Sequence, residues 1–307
     1  MQKIKKMLLV ILGIALSCQV GFSAPQGFTK SEQSYLVNLF AGQYPEAELR
    51  KIFSDKRLAR KAKVVKQNIH TKETHRDYTG FTNSYSMHLA KKFSRKWRTT
   101  LDKAANRYDV DPEAVVAILL VETGFGNVMG KHPVIGVFSS ILVERAEQAN
   151  RYPVKPTASK EDAYFLNRLD KKAEWAKGEL AALLAMAKQN GKSPYYYRGS
   201  YAGAFGLPQF LPSSYMKWGV DSDKNGTVNL FWFPDAIHST ANYLKKHGWE
   251  RGLYKKANHE AVFAYNHSTP YVDTVLTIAK RLKHKKQARA KKVEVALRAV
   301  KATAAVD

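Results

Sequence analysis

A mainly α-helical fold is expected from three features of this 307-residue chain. No strand-rich block interrupts it, and most segments carry apolar residues at helical spacing. One stretch, Asp111-Pro-Glu-Ala-Val-Val-Ala-Ile-Leu-Leu-Val-Glu122-Thr-Gly124, has the punctuation of a whole helix. There Asp111 reads as the N-cap, Pro112 as the first helical residue and Gly124 as the stop, giving about three turns. Every residue from Ala114 to Val121 is apolar, so no face of this helix suits water.

The elements follow in chain order. Lys3, Lys5 and Lys6 precede the apolar run from Met7 to Leu16, and small residues come next, which reads as an export signal over residues 1–23 rather than a spanning helix. Gly21 and Ser23 would hold the small-residue positions of a cleavage site. Cys18, the only cysteine, offers lipid attachment as the alternative, although Ala15 stands where a lipobox favours Leu. Under either reading no intramolecular disulfide forms, which suits an exported protein of the bacterial periplasm or cell envelope with a core large enough to need no cross-links. Residues 24–85 read as an N-terminal helical and connecting region with a basic stretch from Lys51 to Lys66. The core is expected over 86–282, with helices at about 86–108, 112–123, 235–247 and 271–282. A helical insertion at about 140–192 should form a small subdomain beside it. Between 195 and 215, glycines and prolines among aromatic residues predict compact irregular structure. Residues 283–307 form a basic tail, a frayed helix or disordered arm; ten Lys or Arg fall from Lys280 to Lys301.

A net charge of +24 points to an anionic partner: nucleic acid, anionic lipid or cell-wall polymer. Export and the lack of helix-turn-helix, zinc-finger or RNA-binding signatures argue against nucleic acid.

Glu122 carries the most chemistry. A carboxyl closing an apolar helix is disfavoured in its ionised form by desolvation and by the partial negative charge of the helix C-terminus. A raised pKa is the expected result, and a carboxyl still protonated near neutral pH is what a general acid for glycosidic cleavage needs. The bland alternative is a Glu at the domain surface, bonded to an Arg or to backbone amides.

Three motifs occur in order: Glu122-Thr-Gly-Phe-Gly126, Ser200-Tyr-Ala-Gly-Ala-Phe-Gly-Leu-Pro-Gln209-Phe-Leu-Pro-Ser-Ser-Tyr215 and Tyr265-Asn266-His-Ser-Thr-Pro-Tyr271-Val272. Together they resemble the B-type membrane-bound lytic murein transglycosylases over roughly residues 98–280. The resemblance implies a lysozyme-like helical core that cleaves the bond between MurNAc and GlcNAc in peptidoglycan, with Glu122 as the single acid and base and a 1,6-anhydro sugar as product. It implies no cofactor for the chemistry, a monomer, and glycan strands as partner. Ser200 and Gln209 would line the cleft, and the segment's glycines would let backbone approach the sugar. Tyr265 would sit beside Glu122 and orient its carboxyl or the substrate's acetamido group. Asn266 would hold the same wall, Tyr271 would contact a sugar, and Phe125 would be either a sugar platform or core. Gly124, Phe205 and Leu211 depart from the family's commonest residues.

Asp221-Ser-Asp223-Lys-Asn225-Gly226-Thr227 reproduces the opening of an EF-hand loop, with oxygen ligands at alternate positions and Gly at six. Trp232 stands at position twelve, so Asp235 is the residue expected to close the shell around a structural Ca²⁺ or Na⁺. An Asx-rich turn without metal is the alternative. Two rival functions stand beside the transglycosylase: a hydrolytic muramidase, for which the three motifs supply no second acid, and a non-catalytic cell-wall-binding protein. The basic tail is expected to meet anionic cell-envelope polymers.

Overall fold

The computed structural model describes residues 27–70, 77–151 and 160–303. The expected signal, Cys18 and most of the 71–85 connection's first half lie outside these residues. Twelve α-helices occur among the described residues: α1 (Lys30–Phe40), α2 (Glu46–Phe53), α3 (Ala62–His70), α4 (Ser84–Lys96), α5 (Arg98–Tyr108), α6 (Pro112–Thr123), α7 (Val134–Arg151), α8 (Lys160–Gln189), α9 (Pro212–Trp218), α10 (Phe233–Lys246), α11 (Lys256–Tyr265) and α12 (Thr269–Thr303). The one sheet among the described residues is a two-residue antiparallel pair, β1 (His132–Pro133) with β2 (Arg198–Gly199), in which His132 faces Gly199. Among the described residues no helix is long and apolar enough to cross a membrane.

Two hydrophobic clusters organise the molecule. In the first, α1 to α3 pack on α7 and α8, burying Leu36, Phe40, Phe53 and Ile69 with Ile135, Phe138, Leu180 and Leu183. The insertion therefore does not form a subdomain by itself, because its apolar faces are completed by the N-terminal region. Polar links fix this lobe. The Arg60 guanidinium donates to Glu32 (3.0 Å), Glu144 (3.2 Å) and Glu147 (2.6 Å), so one side chain ties the chain before α3 to both α1 and α7. Asn68 Nδ2 donates to the Tyr201 carbonyl (2.7 Å) and Tyr195 Oη to that of Ile52 (2.8 Å), joining the lobe to the irregular segment.

The second cluster surrounds α6, which packs against α4, α5, α10 and α12. From Ala114 to Val121 no residue is more than 4% exposed. Burying each Val, Ile or Leu there stabilises the fold by roughly 1.5–3 kcal/mol. Asp111 takes the N-cap position without a side-chain capping bond. Its carboxylate instead accepts from Trp249 Nε1 (3.2 Å), the Gly252 N–H (2.7 Å) and Lys283 Nζ (2.8 Å), fastening the start of α6 to α12. Two boundaries differ from the sequence reading. The 86–108 stretch breaks at Trp97 into α4 and α5. The last helix runs on from the core through the basic tail to Thr303, because no Gly or Pro stops it after Pro270 and Ala, Lys and Arg favour helix.

Candidate active site

Glu122 lies in the last turn of α6, half-buried between apolar helix and loop. The helix stops in a left-handed turn: Gly124 (φ 57°) donates to the Leu120 carbonyl at 2.9 Å and Phe125 to that of Leu119 at 3.2 Å. Phe125 is itself left-handed (φ 59°), a conformation that costs a non-glycine residue about 1–2 kcal/mol. Its ring is held face to face on Phe93, with centroids 4.1 Å apart and planes at 8°. One face of Phe125 is thus taken by the core, and the ring is only half-buried.

The hydroxyl that meets the carboxyl is not the one expected from sequence. Tyr271 Oη donates to Glu122 Oε1 at 2.6 Å, whereas Tyr265 Oη donates to the Pro208 carbonyl at 2.6 Å. The reason is geometric. Tyr271 sits in the first turn of α12, which packs along α6, while Tyr265 ends α11 facing the irregular segment. Tyr271 is 1% exposed, so its hydroxyl is turned to Glu122 rather than to solvent. The two rings stack 6.4 Å apart at 14°, and Tyr78 abuts Tyr271 edge-on at 5.7 Å. Burial, then the charge of Glu122, pushes both phenols well above their ordinary range, so both stay protonated donors. Asn266 Oδ1 and Ser268 Oγ, between these tyrosines in sequence, are buried with no hydrogen-bond partner among the described residues.

The Gly-Pro segment forms the facing wall. Gln209, left-handed at φ 50°, donates from Nε2 to the Gly206 (3.0 Å) and Met129 (3.3 Å) carbonyls. Half-buried Ser200 closes a tight turn with Gly203 and Ala204. Two of its glycines are required by close packing within the protein: a Cβ on Gly203 would fall 2.3 Å from Phe138 Cζ, and one on Gly206 would fall 2.6 Å from Leu230 Cβ. Thr123, unremarked in the sequence, fastens wall to acid. Its hydroxyl donates to the Leu207 carbonyl (3.0 Å) and accepts from Gly126 N–H (3.1 Å). Leu207 N–H in turn donates to the Leu230 carbonyl at 2.8 Å. The only sequence signal for this link is a hydroxyl directly after Glu122, too common a feature to read alone.

The acidic loop gathers Asp221, Asp223 and Asp235, with one carboxylate oxygen of each within 4.8 Å of the others. Asp235 is fully buried and accepts from Ser222 N–H (2.9 Å), Ser222 Oγ (2.7 Å) and Asn229 N–H (2.7 Å). Asp221 accepts from the Asn225 (3.1 Å) and Gly226 (2.7 Å) amides, and Asn225 Oδ1 from Thr227 N–H (2.9 Å). Converging hard oxygens on a loop already shaped by its own amides fit a hard cation.

Residues 30–256 match the family model described as Transglycosylase SLT domain. Membrane-bound lytic murein transglycosylase B of Escherichia coli (strain K12) is 38% identical over 161 residues, which are 52% of this chain and 38% of that protein. Soluble lytic transglycosylase SltB1 of Pseudomonas aeruginosa superposes with a TM-score of 0.68 at 22% identity, over 83% of this chain and 99% of that one. SltB3 of the same organism, solved with NAG-anhNAM-pentapeptide, gives 0.67 at 21% identity over 84% and 80%. Escherichia coli SLT35, solved with calcium, gives 0.64 at 22% over 85% and 96%. The three solved structures share the mainly α, lysozyme-like architecture.

Proposed function

The chain belongs to the Transglycosylase SLT domain family, and on that premise we propose that it cleaves the β-1,4 bond between MurNAc and GlcNAc in peptidoglycan without consuming water. The observation that carries this reading is Glu122 at the end of a buried helix, held by the Tyr271 hydroxyl. Glu122 gives its proton to the glycosidic oxygen, and the C1–O4 bond breaks as GlcNAc leaves with that proton. The substrate's acetamido oxygen supports the positive charge growing at C1. Its N–H is a donor of the kind that Asn266 Oδ1 lacks. The carboxylate then removes the proton from the C6 hydroxyl, O6 bonds to C1, and Glu122 is restored with a 1,6-anhydroMurNAc end as product. Tyr271 keeps the carboxyl pointed at one place through both transfers, and Ser200 and Gln209 hold the strand against the opposite wall.

Asp221, Asp223, Asn225, Thr227 and Asp235 would hold a hard cation such as Ca²⁺, which would brace the loop and take no part in proton transfer. The protein acts in the cell envelope, after export, on glycan strands, with the basic end of α12 attracting anionic polymers. Mass spectrometry of digested sacculi tests the reading: the expected fragments end in anhydroMurNAc. Ends heavier by one water would identify a hydrolytic muramidase, and binding without release a cell-wall-binding protein.

A further inference from the structure

A pocket about 380 Å³ in volume opens between the end of α8 and the acidic loop, on residues that do not include Glu122, Tyr265 or Tyr271. That volume falls within the range of small-ligand sites. Two rings form its corner: Tyr196, 48% exposed, and Phe231, with centroids 6.0 Å apart and planes at 87°. The floor is fixed by Asn190, whose Nδ2 donates to Tyr197 Oη (3.0 Å) and Tyr215 Oη (2.5 Å) and so leaves Oδ1 as the acceptor it offers. Thr227 and Asn229 supply neutral polar groups on the other side. No acidic residue lines the pocket, and the one charge is Lys192, whose Nζ lies 5.7 Å over the Tyr196 ring.

A half-exposed aromatic corner with amide and hydroxyl groups around it matches the apolar face and hydroxyl rim of a pyranose. A single cation at the mouth matches a carboxylate. We propose that this pocket is a second saccharide site, non-catalytic, that takes an amino sugar carrying a carboxylate. The inference rests on the peptidoglycan reading above and extends it: the protein would grip the polymer at one place while cutting at another. A grip of this kind raises the effective concentration of strand at the cleft without any new contact to Glu122.

The test uses full-length protein carrying Glu122→Gln, so that bound glycan is not consumed, titrated calorimetrically with the GlcNAc–MurNAc disaccharide. Two sites are expected. Adding Tyr196→Ala should remove one and leave the other, and Lys192→Met should weaken that same site about fivefold. Chitobiose, which lacks the carboxylate, should bind this site as weakly in Lys192 protein as in Lys192→Met. With Glu122 intact, Tyr196→Ala should release several-fold less material from insoluble sacculi yet cleave short soluble strands at the wild-type rate. A single binding site, or two sites both indifferent to Tyr196→Ala, overturns the proposal. So does tighter binding of an Ala-Glu dipeptide than of the disaccharide, which would make this a peptide pocket. If wild-type protein releases nothing from sacculi, the peptidoglycan reading fails as well; normal release with one-site binding sinks the second site alone.

Discussion

Glu122 and Asp235 are both carboxylates on helices of the same lobe, yet they sit at opposite ends of those helices and meet different numbers of donors. Glu122 lies in the last turn of α6, where the helix dipole opposes negative charge, and the Tyr271 hydroxyl donates to it. Asp235 lies in the first turn of α10, where the dipole favours negative charge, and three donors reach it although it is fully buried. A carboxyl that must give up and recover a proton belongs in the first setting. One that accepts from several donors, as an anchor for its loop or for a cation, belongs in the second. Helix polarity and donor number together sort the two roles.

The strongest way to break this contrast is Glu122→Gln, which keeps the shape and removes the transferable proton. Release of soluble fragments from sacculi should fall by roughly 10³-fold, within the range for loss of an acid-base group, while the thermal midpoint stays near wild type. Undiminished release would end the assignment. Asp235→Asn probes the other pole. It leaves three donors facing a poorer acceptor in a buried site, so stability should fall by about 3 kcal/mol. Calorimetry should also show that Ca²⁺ raises the melting temperature of wild-type protein, that a chelator reverses the rise, and that the variant responds to neither. A Ca²⁺ response retained in Asp235→Asn would remove this residue from the cation shell.

Tyr271→Phe sharpens the comparison, because it deletes the donor seen at Glu122 while keeping the ring stack. Loss of one bond to a charged group should lower kcat about tenfold or somewhat more. Tyr271 is held well above its ordinary pKa by burial and then by the charge of Glu122, so it remains a donor throughout the working range. Tyr265→Phe, whose hydroxyl goes to Pro208 rather than to Glu122, should lower kcat less than Tyr271→Phe does.

How far the sequence reaches is itself explained by the range of the forces involved. The α6 helix was legible because its punctuation and apolar run are local, and the structure ends it within one residue of the Gly124 stop. What escaped was non-local. Choosing Tyr271 over Tyr265 as the partner of Glu122 requires knowing that α12 lies along α6, which neither motif encodes. The union of α1–α3 with α7 and α8 rests on one shared apolar cluster, and the Arg60 links to Glu144 and Glu147 that accompany it span more than eighty residues. The packing of Gly203 on Phe138 and of Gly206 on Leu230 was not legible, since both partners arrive from distant elements. Phe125, undecided between platform and core, turns out to depend on Phe93 of α4.

The smallest expected effect falls on the link between the two regions. The Asn229 amide is bonded to Asp235, the neighbouring Leu230 carbonyl accepts from Leu207, and the Leu207 carbonyl accepts from Thr123, next to the proposed acid. Thr123→Val preserves volume and deletes the last bond, so the protein should lose about 1–2 kcal/mol of stability, and Thr123→Ser should recover most of it. If the two carboxylate sites are mechanically joined through this path, the Val variant should also lower kcat several-fold with little change in KM, because position rather than affinity is disturbed. Its Ca²⁺-induced rise in melting temperature should stay intact, since Asp221, Asp223 and Asp235 are untouched. Unchanged kcat with the expected stability loss would show instead that the acid and the acidic loop are neighbours in sequence of contacts only, each working alone.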